Sequence, residues 1–140
     1  MPDASRYIWL FLHLKGRIGR AVFFLGYLLI GVIQVFPVYK AMVAVMQLDA
    51  TYLADESFEE LMRLSPEFAR WWTVTGFLAF VMLWPCIALT AKRFHDIGRS
   101  GIFTITLFIP VVQFIAFLAL CIIPGQPGPN AYGSVTDRRE

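Results

Sequence analysis

Charge is scarce in this chain. Only 16% of its 140 residues are Asp, Glu, Lys or Arg, against roughly 25% in soluble domains. A disordered chain, which combines high charge with low hydrophobicity, is therefore excluded. There are two cysteines, too few for a disulfide-rich secreted scaffold. There are two histidines, His13 and His95, so a zinc-type centre with three or more ligands has little to draw on. Three long stretches carry no charge at all: Ala21 to Tyr39, Trp71 to Ala91 and Gly101 to Ile123.

What fills the gap is apolar. Hydrophobic residues make up 58% without counting glycine, whereas soluble domains reach roughly 45–50% with glycine included. At about 1.5 Å per residue, the three stretches extend roughly 28–35 Å, enough for a hydrocarbon core of about 30 Å. Buried helices of a soluble bundle would show polar stripes, and these are apolar nearly all round. A secretory signal is not indicated either, since Tyr7 to Leu14 is short and lacks a small-residue cleavage site. The fold class read from the sequence is an all-α integral membrane protein. It has three transmembrane helices over about 21–39, 71–91 and 101–123, within a single membrane domain spanning 1–140.

Charge sets the expected orientation. The segment before the first span carries Arg6, Lys15, Arg17 and Arg20 against Asp3, a net of +3. The linker between spans two and three carries Lys92, Arg93 and Arg99 against Asp96, a net of +2. The linker between spans one and two, with Asp49, Asp55, Glu56, Glu59, Glu60 and Glu67, sums to −3, and the tail over 124–140 to zero. The positive-inside rule puts both basic segments in the cytoplasm. The N-terminus and residues 92–100 are then inside, and the acidic linker over 49–70 is outside. Three crossings put the C-terminus outside as well.

Residues 5–15 form a short apolar helix, too short to span. Its Trp9 and Tyr7, flanked by Arg6 and Lys15, suit the headgroup region or packing against the bundle end. Pro37 is a candidate kink in span one, and Lys40 is expected to snorkel to water beyond it. In the acidic linker, Ser57-Phe58-Glu59-Glu60 has capping-box form and starts an outer amphipathic helix. Ser65-Pro66-Glu67 is a second start signal, running on into span two. The run Pro124 to Asn130 stops the last helix. By depth, Cys86 and Cys121 fall in opposite halves of the bilayer, too far apart for a disulfide.

Two constellations stand out. Gln34 and Gln113 lie at similar depths inside spans one and three and are expected to pair through their amides, a bond worth perhaps 0.6–2 kcal/mol in a membrane. The second is Lys92-Arg93-Phe94-His95-Asp96-Ile97-Gly98-Arg99-Ser100-Gly101, which packs a titratable His, a carboxylate and three cations into one linker. Neighbouring residues on a helix point about 100° apart, so His95 and Asp96 are no dyad by spacing alone. The simplest expectation is that Asp96 pairs with Arg17, Arg20, Arg93 or Arg99, and that His95 caps a helix end. Arg17, Arg20, Lys92, Arg93, His95, Asp96, Arg99 and Ser100 would then form one cytoplasmic polar cluster. Such a cluster organises the bundle and can meet anionic lipid headgroups, each cation contributing roughly 1 kcal/mol.

Three blocks of residues resemble the domain-of-unknown-function 805 family, small bacterial inner-membrane proteins. Gly16-Arg17-Ile18-Gly19-Arg20 with Phe23-Phe24 is similar to the family's opening G-R-x-x-R. Arg93 to Gly101 is similar to its R-x-H-D-x-x-R-S-G signature. Pro124-Gly125, Gly128, Asn130, Tyr132 and Gly133 are similar to its closing P-G-x-x-G-x-N-x-[FY]-G. Gly19, Val22 and Ile102 depart from residues common in the family. The resemblance implies a small helical bacterial inner-membrane protein and supplies no catalytic residues. It also implies no cofactor.

The leading expectation is a non-enzymatic membrane protein whose partners are the lipid bilayer, a second copy or another membrane protein. One alternative is a small transporter or channel-like subunit acting as an oligomer. Another is a membrane enzyme using His95 and Asp96. Nucleic acid is not indicated, since no aromatic platform interleaves the cations.

Overall fold

The computed structural model describes residues 4–48 and 57–138. Every regular element among them is helical. In chain order these are α1 (Ala4–Leu12), α2 (Arg20–Met46), α3 (Phe58–Leu64), α4 (Pro66–Asp96), a 3-10 helix (Gly101–Phe108) and α5 (Pro110–Ile122). Residues 49–56 of the expected acidic linker, with Asp49, Asp55 and Glu56, lie outside the described residues, as do 139–140 of the tail. The chain divides into two compact units, one of Leu29–Met82 and one of Met1–Leu28 with Leu83–Glu140.

Two helices are long and apolar enough to cross a membrane: α2 with 27 residues and α4 with 31. At about 1.5 Å per residue they extend roughly 40 and 46 Å. Their surfaces are apolar where a soluble helix would be polar. Val32, Val35 and Phe36 on α2 are 60–64% exposed, and Phe80 on α4 is 76% exposed. Such faces have no solvent they prefer other than lipid.

Within the Leu29–Met82 unit, local sequence signals set the helix starts. Ser57 accepts from the Glu60 amide at 3.4 Å and opens α3. Ser65 accepts from the Phe68 amide at 3.2 Å, and Pro66 takes the first position of α4. The serine oxygens satisfy amides that a helix start leaves without partners. Phe68 is buried against Ala41 and Ala44, with Val45, Leu61, Met62 and Trp71 around them. The ammonium of Lys40 lies 5.7 Å from the centroid of the Trp71 ring, a cation–π distance.

Within the same unit Gln34 finds a backbone partner. Gln34 Nε2 donates to the Thr75 carbonyl at 2.8 Å, and Gln34 Oε1 is buried without a partner. The Thr75 hydroxyl donates to the Trp71 carbonyl at 2.8 Å, one turn back along α4.

In the other unit the third apolar run is broken, so a third span is not confirmed. Residues 101–123 do not run as one helix. Eight residues are wound as a 3-10 helix, Ile109 is extended, and Pro110 restarts an α-helix of 13 residues. At about 2.0 and 1.5 Å per residue these pieces reach roughly 16 and 20 Å, each short of a 30 Å core. They pack against each other as a hairpin. Both ends of the run meet the end of α4. A Cβ at Gly101 would sit 3.0 Å from His95 Nε2, and Arg93 Nε donates to the Leu120 carbonyl at 2.9 Å. A continuous 23-residue helix would hold those ends about 33 Å apart. The tail that follows therefore lies with the N-terminal arm. Cys121, expected near the far face, sits between Leu120 and Ile122 at this same end. Both it and Cys86 are free thiols.

Candidate functional site

The residues singled out in the sequence converge at the end of α4. Asp96 closes that helix, 2% exposed. Its Oδ1 lies 3.2 Å from Arg17 Nε and 3.2 Å from Arg17 Nη2, and accepts from the Thr136 hydroxyl at 2.8 Å. Its Oδ2 accepts from Arg93 Nη1. Arg17 and Arg93 are 1% and 0% exposed. One carboxylate thus sits between two buried guanidiniums. A buried ion is tolerated only where its remaining donors find acceptors, and here they do.

Arg17 spends its other donors on the tail. Nη1 donates to the Gly128 carbonyl at 2.6 Å and the Gly133 carbonyl at 3.2 Å, and Nη2 to the Gln126 carbonyl at 2.6 Å. The tail answers through its backbone: Gln126 N donates to the Asp96 carbonyl at 2.8 Å, and Asp137 N to the Arg17 carbonyl at 2.9 Å. Asp137 Oδ1 accepts from Gly19 N at 2.7 Å. Gly125 is required where it stands, because a Cβ there would fall on the Asp96 carboxylate.

The other cations cap helix ends that have no basic residue of their own. The last turn of α5 lacks one, and its carbonyls would otherwise be orphaned. Arg93 takes those of Leu120 and Ile123, and Arg20 takes that of Ile122 at 3.2 Å. The last turn of α1 lacks one too. Lys92, 0% exposed, donates to the carbonyls of Trp9 and Leu10, with its ammonium 4.6 Å from the centroid of the Trp9 ring. Positive charge at a helix C-terminus is favoured by the helix dipole.

His95 points elsewhere. Its Nδ1 donates to the Gly16 carbonyl at 3.2 Å, since a carbonyl can only accept. Its ring stacks on Tyr132 with centroids 4.1 Å apart and planes 2° apart. Its carbonyl accepts from Asn130 Nδ2 at 2.9 Å. His95 and Asp96 are thus adjacent in sequence and separate in their partners. Ser100 Oγ accepts from Ile102 N at 3.4 Å and opens the 3-10 helix. Arg99 is exposed, as are Lys15 and Arg20.

The structure thus joins Arg17, Arg93 and Asp96 directly and places Arg20, Lys92, His95 and Ser100 on the elements they brace. Burial removes Arg17, Lys92, Arg93 and Asp96 from any contact with lipid headgroups, leaving Arg6, Lys15, Arg20, Arg99 and Arg138 as the exposed cations there among the described residues. Sequence reasoning missed Gln126, Gly128, Gly133, Thr136 and Asp137. The signal was present in part, since Gly128 and Gly133 belong to the closing glycine- and proline-rich block. Their backbone carbonyls, however, carry no residue signature.

The profile of the family described as "Protein of unknown function (DUF805)" matches residues 11–134. That range takes in both arginines, the end of α4 and most of the tail. Two relatives, the "Inner membrane protein YhaI" of Escherichia coli strain K12 and that of Escherichia coli O157:H7, are each 34% identical over 50 residues. The alignment covers 36% of this chain and 42% of each relative, so the chain spans less than half of their length. No solved structure matches.

Proposed function

The chain belongs to the DUF805 family, and from that premise we propose a polytopic inner-membrane protein that performs no chemistry of its own. Its cytoplasmic-face cluster holds membrane segments in place and presents a basic rim to lipid headgroups or a partner. The carrying observation is Asp96, which ties the N-terminal arm through Arg17, its own helix through Arg93 and the tail through Thr136. The charge asymmetry of the sequence supports placing this end in the cytoplasm. With α2 and α4 as the two crossings and residues 101–123 as a hairpin entering and leaving on one side, the N-terminal arm, residues 92–100 and the tail all face the cytoplasm. Proline-broken helices of this sort are tolerated in membranes where neighbours re-satisfy the freed backbone.

The enzymatic alternative needs Asp96 to orient or deprotonate something in a site. Its carboxylate is instead taken up by two arginines and a threonine hydroxyl. Asp96→Asn separates the readings. The present one expects a large loss of thermal stability in detergent and faster proteolysis of residues 124–138. An Asn variant with unchanged stability and an unchanged tail would overturn it.

A further inference from the structure

The two histidines, 82 positions apart in the chain, line one cavity. It has a volume of about 520 Å³ and is bounded by Trp9, His13, Lys15, Gly16, His95, Ala131 and Tyr132. Its charged and titratable lining is Lys15, the two imidazoles and the Tyr132 phenol, with no carboxylate among the lining residues. Among the described residues, the two acids of this end of the protein are occupied elsewhere, Asp96 by Arg17 and Arg93, Asp137 by the Gly19 amide. Among the described residues, then, Lys15 has no counter-charge in the cavity it borders.

The walls are held in place by the fold. Gly16 has φ +103°, and a Cβ there would lie 2.7 Å from the Trp9 ring. Only glycine lets the chain pass over the indole in this conformation. That crossing carries His13 and Lys15 to the cavity. Trp9 Nε1 fixes the loop by donating to the Lys15 carbonyl at 3.0 Å. On the opposite wall, His95 is held by Gly16 and by its stack on Tyr132. The volume lies within the roughly 300–1,000 Å³ typical of ligand sites. Aromatic rings beside cations also suit the depth at which headgroups lie.

We infer that this cavity binds an anionic phosphate group, carried by a lipid headgroup or by a small phosphate ester, with Lys15 and His13 as its donors and the His95–Tyr132 stack as its wall. The inference rests on the cytoplasmic-face reading above but uses residues distinct from the Arg17–Asp96–Arg93 cluster. Its test therefore fails or succeeds separately from the Asp96→Asn experiment.

The full chain, labelled with 15N only at histidine, gives two imidazoles to follow by NMR, both of them in the cavity. In nanodiscs of phosphatidylcholine at constant ionic strength, sn-glycerol 3-phosphate is titrated. In a second arm, phosphatidylglycerol replaces part of the phosphatidylcholine. Saturable movement of both imidazole signals in the first arm identifies a soluble phosphate ester. Movement in the second arm alone identifies a lipid headgroup. In either case Lys15→Gln weakens the response roughly tenfold, as loss of a charged hydrogen bond does. Arg138→Gln, the same charge change away from the lining, leaves the response unchanged. No movement in either arm, or movement that survives Lys15→Gln, overturns the inference.

Discussion

Arg17 and Asp96 meet across 79 residues of sequence, Nε to Oδ1 at 3.2 Å, both side chains shielded from solvent. The contact is polar, yet it sits where an ordinary core would be apolar. Removing one member of a buried ion group leaves charges without compensation, which costs about 3–5 kcal/mol. Asp96→Asn leaves two guanidiniums facing a neutral amide. We expect a loss of that size, read as a fall in the thermal unfolding midpoint in detergent.

Gly125 and Gly31 give a matched pair. A methyl at Gly125 would collide with the Asp96 carboxylate, whereas a methyl at Gly31 meets nothing within 4 Å. Gly125→Ala should destabilise by about 1–3 kcal/mol, as overpacking does. Gly31→Ala should be neutral or slightly stabilising, since alanine is the better helix former by about 1 kcal/mol. Comparing the two unfolding midpoints checks the geometry of the tail against Asp96.

Lys92→Met keeps the stem of the side chain and removes the ammonium. The carbonyls of Trp9 and Leu10 then lose their donor. A hydrogen bond to a charged group contributes about 1.5–3 kcal/mol. Hydrogen exchange over residues 4–14 should quicken by an order of magnitude or more, while the Phe68 core around α3 keeps its protection.

Gln34→Leu should cost little. The wild-type amide makes one bond, to the Thr75 carbonyl, and leaves Oε1 buried without a partner. The gain from removing that orphan offsets much of the lost bond, so we expect a change within about 1 kcal/mol. A loss of several kcal/mol would show that Gln34 does more than bind Thr75.

Much of this was legible in the sequence. The uncharged runs located α2 and α4, because a membrane helix needs apolar length above all. Ser57, and Ser65 with Pro66, marked helix starts because capping is local chemistry. The stretch from Lys92 to Ser100 stood out, since ions beside a hydrocarbon span need a reason to be there. The course of residues 101–123 was not legible. Apolar length is the same for a helix that crosses and for a 3-10 turn and helix that double back, and Pro110 is compatible with both. The partners of Gln34, Lys92 and Arg20 are backbone carbonyls, which every residue has and no pattern marks. The tail, with a net charge of zero, gave the positive-inside rule nothing to count, and only the number of crossings placed it. Its place beside the N-terminal arm is set by Arg17 binding the carbonyls of Gln126, Gly128 and Gly133.

The side on which that tail lies is the most direct test of the account. With Cys86 and Cys121 replaced by alanine, single cysteines at Ala4, Ala131 and Glu59 can be labelled with a membrane-impermeant maleimide in vesicles of each orientation. The account predicts that Ala4→Cys and Ala131→Cys react from the cytoplasmic side and Glu59→Cys from the other. Reaction of Ala131→Cys from the same side as Glu59→Cys would contradict it, restoring a third crossing and separating Arg17 from the carbonyls it is described as holding.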